Sequence, residues 1–329
     1  MFHIFSRSLR CAAALGLATL ATTSSAMAQD KWPSKPINVI VPFAAGGNAD
    51  VLGRIVGEKV AKALGTTFVF ENRVGAGGNT GIAAVAKAPT DGYTIGIGTT
   101  GPLTINPHML GDKMPFKPNE IRPLVAMATQ PNLIVVHNSI PAKNITELVA
   151  YLKANPDKES YASSGAGTSQ HLCMEMLADL TGIKVAHVPY RASNQIMQDV
   201  MSGQVKITCD NFASAYEQVK AGTVKAVAVT SPERYPGSPE VPTVAEGFPG
   251  FRVGVFHGYI APAGFPADLA KRLEEELVKA INDPDTQAKF KNLGVQPSGL
   301  AGAAFAALIK GDSDRYGAAI AKAGIKPAQ

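Results

Sequence analysis

Short apolar segments alternate with amphipathic segments along most of this chain, which is the pattern of an α/β protein. The clearest unit begins at Ile37. Ile37 to Val41 is an apolar run rich in β-branched residues, as in a strand buried on both faces. From about Asp50 to Leu64, apolar residues recur at helical spacing. The pattern predicts a strand, a loop and a helix, in that order.

The loop between this strand and this helix consists mainly of small residues. It runs from Phe43 to Asn48 and contains Gly46 and Gly47. Small residues leave backbone N–H groups accessible, and the start of a helix adds unpaired N–H groups and the positive end of the helix dipole. We therefore predict an anion-binding loop, with Asn48 or Asp50 capping the helix. An ordinary tight turn remains the alternative.

The same arrangement is predicted a second time, later in the chain. A strand at 160–164 feeds a loop at 164–170, and Thr168 or Ser169 is placed to cap the helix that follows. Another small-residue loop, at 99–102, follows a strand at 93–98. In parallel sheets, ligands bind beyond the carboxyl ends of the strands. Two such loops from two domains could close on one anion.

Two long strand-like segments divide the chain into domains. They lie at 124–137 and 251–260, and each is read as a crossover between domains. We predict one α/β domain from residues 29–128 and 252–329 and a second from residues 129–251. The pair of crossovers predicts a hinge. Helices at 266–281 and 303–323 are expected to pack on the first sheet.

Composition adds a targeting segment and excludes some partners. The chain has 329 residues, of which 46% are hydrophobic, enough for two domains. Residues 1–28 have the order of a secretory signal, with cleavage expected after Ala28. Cleavage removes two arginines and no acid, so the formal charge falls from +5 to +3. The basic residues are scattered, which argues against a nucleic-acid surface. We expect a periplasmic protein.

Two cysteines remain after cleavage, Cys173 on a predicted helix and Cys209 near a predicted strand end. An exported protein can form disulfides. Because both residues fall in regular structure, we expect two buried free thiols. A bridge is the alternative, since pairing depends on a Cα separation that the sequence does not show.

The residues that could carry enzyme chemistry do not form a catalytic pattern. His171 and Glu175 lack the second histidine of a zinc helix, and Cys173 lies two residues from His171, on a different helix face. The glycines from Gly75 to Gly81 depart from the dinucleotide spacing. Asp50 is expected to cap its helix or bind a polar ligand group rather than act as a base. We predict no enzyme activity, no cofactor and no metal.

Several segments together resemble one known family. They are Trp32-Pro-Ser-Lys-Pro-Ile37, Val41-Pro-Phe-Ala-Ala-Gly-Gly-Asn-Ala-Asp50, Glu71-Asn-Arg-Val-Gly-Ala-Gly-Gly78, Ala86-Lys-Ala-Pro-Thr-Asp-Gly-Tyr93, Tyr161-Ala-Ser-Ser-Gly-Ala-Gly-Thr-Ser-Gln-His171, His187-Val-Pro-Tyr-Arg191, Ala226-Val-Ala-Val-Thr230 and Val241-Pro-Thr-Val-Ala-Glu246. The chain resembles a Bug-type solute receptor of a tripartite tricarboxylate transporter over nearly its whole mature length.

This resemblance implies a two-domain Venus-flytrap fold, with two mixed sheets, a two-strand hinge and no metal or cofactor. It also implies that main-chain groups and ordered waters grip a ligand carboxylate at the two loops. The site residues we predict are Phe43, Ala44, Gly46, Gly47, Asn48, Asp50, Thr100, Ser164, Gly165, Ala166, Gly167, Thr168, Ser169, His171, Arg191 and Asp210.

The predicted function is capture of a small carboxylate, either a di- or tricarboxylate, an acidic amino acid or an aromatic acid. The expected partners are that ligand and the membrane components of the transporter, with a monomeric receptor and no nucleic acid. A sensor that presents the ligand to a membrane signalling partner is the alternative. The chain departs from the family pattern at Lys206, at Arg191-Ala192 and at Phe256-His257-Gly258, which leaves the identity of the ligand open.

Overall fold

The computed structural model describes residues 32–190 and 193–325. Within them the strands are β1 (Ile37–Val41), β2 (Phe68–Asn72), β3 (Thr94–Thr99), β4 (Ile121–Val136), β5 (Ser160–Ser163), β6 (Ala186–Pro189), β7 (Ile207–Asn211), β8 (Lys225–Val229), β9 (Gly254–Pro262) and β10 (Gln296–Pro297). The α-helices are α1 (Asn48–Leu64), α2 (Asn79–Ala86), α3 (Asn106–Leu110), α4 (Ile145–Ala154), α5 (Ser169–Thr181), α6 (Ser193–Ser202), α7 (Phe212–Lys220), α8 (Val244–Gly247), α9 (Ala267–Asn282), α10 (Pro284–Asn292) and α11 (Ala303–Ala323).

The strands form a mixed sheet in the order β2-β1-β3-β9-β4-β7-β5-β6, and β8 and β10 also pair with β4. β1 is parallel to β2 and β3, and β5 is parallel to β6 and β7. β9 runs antiparallel to both β3 and β4. We call β1, β2, β3, β9 and β10 the first half of the sheet, and β5 to β8 the second half.

Strand β4 belongs to both halves. Its residues from Ile121 to Pro131 pair with β9, and those from Asn132 to Val136 pair with β7. Pro131 stands where the pairing changes, a position that suits proline because it has no N–H to donate to a ladder. The long crossover strand predicted at 124–137 is therefore present. The two predicted mixed sheets are the two ends of one sheet, joined through β4.

The first half of the sheet is buried on both faces, as its sequence predicts. Val39 packs in a core cluster that includes Leu52 of α1 and Leu273 of α9. Its neighbour Ile40 packs in a different cluster, which includes Ile82 of α2. Successive residues of a strand point to opposite faces, so one apolar run serves both helix layers. This burial fixes the end of β1, from which the loop at 43–47 leaves.

The last helix spans more of the molecule than predicted. Phe305 packs edge-on against Phe256 of the first half, with ring centroids 5.4 Å apart. Tyr316 and Ile320 belong instead to the core cluster around Ile134 in the second half. The prediction that α11 packs on the first sheet is thus wrong for its C-terminal part. Its 21 residues extend about 30 Å, enough to lie across both halves.

Cys173 of α5 and Cys209 of β7 form a disulfide, with Cα atoms 6.4 Å apart. This finding corrects the prediction of two free thiols. Both side chains are fully buried in regular structure, as expected. However, α5 packs directly on β7, which brings the two residues within the Cα separation that a disulfide requires.

Some predictions are not tested by these residues. The signal segment at 1–28 and Arg191 lie outside the described part of the chain. The domain boundaries after residues 128 and 251 stay predictions. No helix in 32–190 or 193–325 is long and apolar enough to cross a membrane.

Candidate functional site

The loop after β1 delivers the start of α1 with its backbone N–H groups uncovered. α1 begins at Asn48, and Gly47 occupies its N-cap position without a side-chain cap hydrogen bond. The predicted cap by Asn48 or Asp50 is therefore wrong. The first N–H groups of a helix have no partner inside the helix. Because glycine supplies no capping oxygen, these donors stay available to a ligand.

Asp50 holds this loop from behind. One carboxylate oxygen accepts a hydrogen bond from the Gly46 N–H at 3.0 Å, and the other accepts from Arg54 Nε at 3.0 Å and Asn72 Nδ2 at 3.1 Å. Burial alone would raise the pKa of Asp50, but the hydrogen bonds from Arg54, Gly46 and Asn72 lower it below its ordinary value. Asp50 is thus a buried anion that fixes the shape of the loop.

The loop after β5 delivers the start of α5 from the second half of the sheet. Thr168 is its N-cap, as predicted, and accepts a hydrogen bond from the His171 N–H at 3.3 Å. The Gln170 side-chain oxygen accepts from the Ser164 N–H and hydroxyl, each at 2.5 Å. The Gln170 amide also donates to Asp210. This chain of hydrogen bonds ties the loop to the end of β7.

A cavity of about 50 Å³ lies where these two helices begin. We call it the head cavity. It is lined by Phe43, Ala44, Ala45, Gly47, Asn48, Ala49, Thr99, Thr100, Gly101, Ser164, Thr168, Ser169, Gln170, Asn211, Val255 and His257. None of these residues carries a charged side chain at neutral pH, since burial lowers the pKa of His257 to about 4. Both halves of the sheet therefore contribute to one uncharged, polar cavity.

Four side-chain atoms in the lining of the head cavity are buried without a hydrogen-bond partner in the described chain. They are Asn48 Nδ2, Thr99 Oγ1, Asn211 Oδ1 and His257 Nδ1. A buried polar group without a partner costs about 1–3 kcal/mol, and native proteins keep few of them. Four in one small cavity indicate a place where a polar molecule supplies the missing partners.

A larger cavity of about 630 Å³ adjoins the first, and Phe43 and Ser164 line both. We call it the outer cavity. The glycine-rich segment from Gly75 to Gly78 forms one wall, and Met109 and Tyr190 lie in the lining as well. These glycines, whose spacing departs from a dinucleotide motif, are thus part of a ligand-sized space between the two loops.

The predicted site residues divide between these two cavities and their supports. Those in the head cavity are Phe43, Ala44, Gly47, Asn48, Thr100, Ser164, Thr168 and Ser169. Gly165, Ala166 and Gly167 line the outer cavity. Gly46, Asp50, His171 and Asp210 support the loops through hydrogen bonds. Arg191 lies outside the described residues, next to Tyr190.

Sequence reasoning left Thr99, Asn211 and His257 out of the site. Thr99 belongs to the predicted loop at 99–102, from which the adjacent residue Thr100 was selected as the site residue instead. His257 lies on the crossover strand β9, and its register with Thr99 places both beside the head cavity. A histidine within an otherwise apolar crossover strand was the available signal.

Three histidines surround or support this site: His171 and His257 are buried, and His187 is half-buried. Burial lowers the pKa of each to about 4, and for His187 the nearby His171 ring lowers it further while Glu175 raises it. Asp210 shows the opposite change, because burial raises its pKa to about 7. Within the described ranges, no group of His, Cys, Asp and Glu side chains could hold a metal ion.

These histidines predict loss of stability in mild acid. The unfolded chain takes up protons near the ordinary histidine pKa of about 6.5, whereas the folded chain takes them up near 4. The contribution of these histidines to stability is therefore complete above about pH 6.5 and falls toward pH 4, most steeply through the two buried rings, His171 and His257. Asp210 has the opposite effect, because its pKa is raised in the folded protein. The folded chain therefore binds this proton at a higher pH than the unfolded chain does, which favours folding as the pH falls.

Melting curves between pH 7.5 and 4 measure this slope. His257→Gln should reduce this slope, because it removes one of the buried groups that take up a proton on unfolding. Equal slopes in the wild type and His257→Gln would contradict the assignment of His257 as a buried neutral side chain.

The chain matches known proteins along most of its length. Residues 52–325 match the family model described as the tripartite tricarboxylate transporter family receptor. The chain belongs to this family. A protein of Pseudomonas sp. (strain P51), described as a UPF0065 protein in the tcbD-tcbE intergenic region, is 40% identical over 306 residues, which are 92% of this chain and 90% of that one.

Two solved structures extend the match to three dimensions. The periplasmic binding protein BugD is 34% identical, with a TM-score of 0.85 over 90% of this chain and 100% of that one. R. palustris Rpa4515 with adipate is 30% identical, with a TM-score of 0.86 over the same shares. The predicted Bug-type family, the periplasmic-binding-protein fold and the role as a binding protein rather than an enzyme are confirmed. Receptors of this family bind small carboxylates and serve a membrane transporter.

Proposed function

We propose that this receptor captures a small carboxylate in the head cavity and delivers it to the membrane components of a tripartite tricarboxylate transporter. The observation that carries the proposal is that α1 and α5, from the two halves of the sheet, begin at one cavity. Each helix start offers unpaired N–H groups and about half a positive charge. Two such starts attract an anion without a cationic side chain.

The connecting strands supply a means of closure around the ligand. β4 runs through both halves, and β9 pairs with it from Ile121 to Pro131. The residue before β9, Val253, donates its N–H to the Thr230 carbonyl after β8 of the second half, so the chain crosses between the halves there as well. We infer a hinge there, between one domain at 29–128 and 252–329 and another at 129–251. A ligand held by both loops then favours the closed form over the open one.

The remaining parts of the proposal concern the protein's surroundings. We infer export to the periplasm with cleavage after Ala28, because residues 1–28 have the order of a secretory signal. We also infer that the receptor is a monomer. We infer no binding of nucleic acid, since the basic residues are scattered and the mature charge is small. The ligand classes are di- and tricarboxylates, acidic amino acids and aromatic acids.

Small carboxylates should raise the melting temperature of the purified protein. Binding to the folded state alone contributes about 2.7 kcal/mol at a hundredfold excess over Kd, and each kcal/mol shifts Tm by roughly 2–4 °C in proteins of 150–250 residues. The measurement is a thermal-shift screen of the four acid classes, with the matching neutral amides as controls. No shift with any acid, or equal shifts with the amides, would contradict carboxylate capture.

A further inference from the structure

Thr99 and His257 form a matched pair beside the head cavity. They lie directly opposite each other on the antiparallel strands β3 and β9, so their side chains share one face of the sheet. Both residues line the head cavity, with only 4% and 3% of their surfaces exposed. Thr99 Oγ1 and His257 Nδ1 have no hydrogen-bond partner among the described residues. The pair can therefore form hydrogen bonds with a ligand in the head cavity.

The pair carries no charge that could balance a second carboxylate. His257 is fully buried, and burial lowers its pKa to about 4, so its ring is uncharged at neutral pH. A neutral imidazole nitrogen and a threonine hydroxyl can each exchange one hydrogen bond with a group that both donates and accepts. A hydroxyl is the smallest ligand group with both capacities. A carboxylate offers only acceptors.

The size of the head cavity limits how far the hydroxyl can lie from the carboxylate along the ligand. With a volume of about 50 Å³, the cavity holds little more than the carboxylate and its nearest carbons. The rest of a longer ligand would pass Phe43 and Ser164 into the outer cavity, which both residues also line. The polar group opposite Thr99 and His257 must therefore lie close to the carboxylate along the ligand.

We propose that Thr99 and His257 select carboxylates that bear a hydroxyl group on the second or third carbon, in preference to the same acids without it. This inference rests on the proposed function, because it assumes that the carboxylate lies at the two helix starts. An acid without the hydroxyl leaves both side chains without a partner on the ligand when the cleft closes. Sites built to hydrogen-bond a ligand hydroxyl discriminate strongly against the analogue that lacks it.

The test is calorimetric titration with matched acid pairs: lactate and propionate, 3-hydroxybutyrate and butyrate, malate and succinate, citrate and tricarballylate. The hydroxy acid of the pair that fits best should bind about 5- to 150-fold more tightly than its partner, as expected when about 1–3 kcal/mol depends on one buried hydrogen-bonding group. Thr99→Val and His257→Phe should reduce that preference to within about threefold, mainly by weakening the hydroxy acid.

Thr94→Val is the matched control, because it makes the same chemical change on β3 at the far end of the strand. It should keep the full preference. Thr99→Val is nearly isosteric and so tests the proposal even if His257→Phe does not fold. Equal affinity within every pair, or a preference that survives in both variants, would overturn the inference while leaving carboxylate capture intact. Binding of no acid from any pair would overturn the inference, and carboxylate capture would fall with it if the thermal-shift screen of the four acid classes also gave no shift.

Discussion

Gly167→Ala should lower carboxylate affinity by about a hundredfold or more, a loss of roughly 3 kcal/mol at about 1.4 kcal/mol per tenfold. A Cβ on Gly167 would lie 1.5 Å from Asn106 Oδ1, far inside contact distance. Asn106 opens α3, which follows β3, whereas Gly167 stands before α5. To make room, either the Asn106 amide must leave its hydrogen bond to Asn79 or the two walls that the ligand must bridge must separate. Calorimetric titration with the best-binding acid measures the loss.

Gly182→Ala separates this clash from backbone strain. Gly182 ends α5 with a φ of +72°, close to the +74° of Gly167, but a Cβ there meets nothing within 4 Å. Alanine in this left-handed conformation costs about 1–2 kcal/mol of stability. We expect a lower melting temperature and an unchanged Kd. Equal losses of affinity in Gly182→Ala and Gly167→Ala would show that strain, not the contact with Asn106, causes the effect.

Gly47→Ala should have a much smaller effect than Gly167→Ala. Its φ of −75° is open to any residue, and a Cβ would lie 3.2 Å from the Ala44 carbonyl oxygen of its own loop. The sequence shows glycines in both loops without distinguishing these roles. What matters at Gly167 is a neighbour about 60 residues earlier in the chain, and only the fold brings the two together.

Replacing both cysteines, as Cys173→Ala with Cys209→Ala, should lower the free energy of unfolding by about 4 kcal/mol. The estimate follows from loop-closure entropy for a disulfide that spans 36 residues. At roughly 2–4 °C per kcal/mol, the melting temperature should fall by about 8–16 °C. Guanidinium unfolding of the variant and the wild type measures the difference.

The control for this double substitution is Cys173→Ala with Cys209→Val in a second preparation, which restores some of the lost volume without restoring the bridge. Both variants should be destabilised, because the disulfide stabilises the protein mainly by lowering the conformational entropy of the unfolded chain, and core packing contributes less. An unfolding free energy within about 1 kcal/mol of the wild type in both would contradict a stabilising disulfide.

The sequence was sufficient to predict those elements that contact elements close to them in the chain. The β1–α1 unit and the β5–α5 unit follow from local periodicity and turn residues, and Thr168 caps its helix as predicted. The cysteine pairing was missed because it depends on which face of α5 meets β7. Two buried cysteines in a protein predicted to be exported are a strong indication of a disulfide. Their location in a helix and a strand was a weaker argument against one.

Polar residues near the loops were harder to assign than the loops themselves. Asp50 and Asp210 were predicted to contact the ligand, and in the structure each accepts a backbone hydrogen bond from its own loop region, Asp50 from the Gly46 N–H and Asp210 from the Asn211 N–H. Thr99 and His257 come from separate parts of the chain, and their pairing depends on the antiparallel register of β3 with β9. No turn joins β3 to β9, so their register does not follow from a local sequence pattern.

A crystal structure with the acid that gives the largest thermal shift tests the central claim most directly. We predict carboxylate oxygens at about 2.7–3.2 Å from backbone nitrogens in the first turns of both α1 and α5. The ligand should lie in the head cavity, with any longer part beyond Phe43 and Ser164. A carboxylate paired instead with the Arg191 guanidinium, or bound away from these two helix starts, would contradict the account.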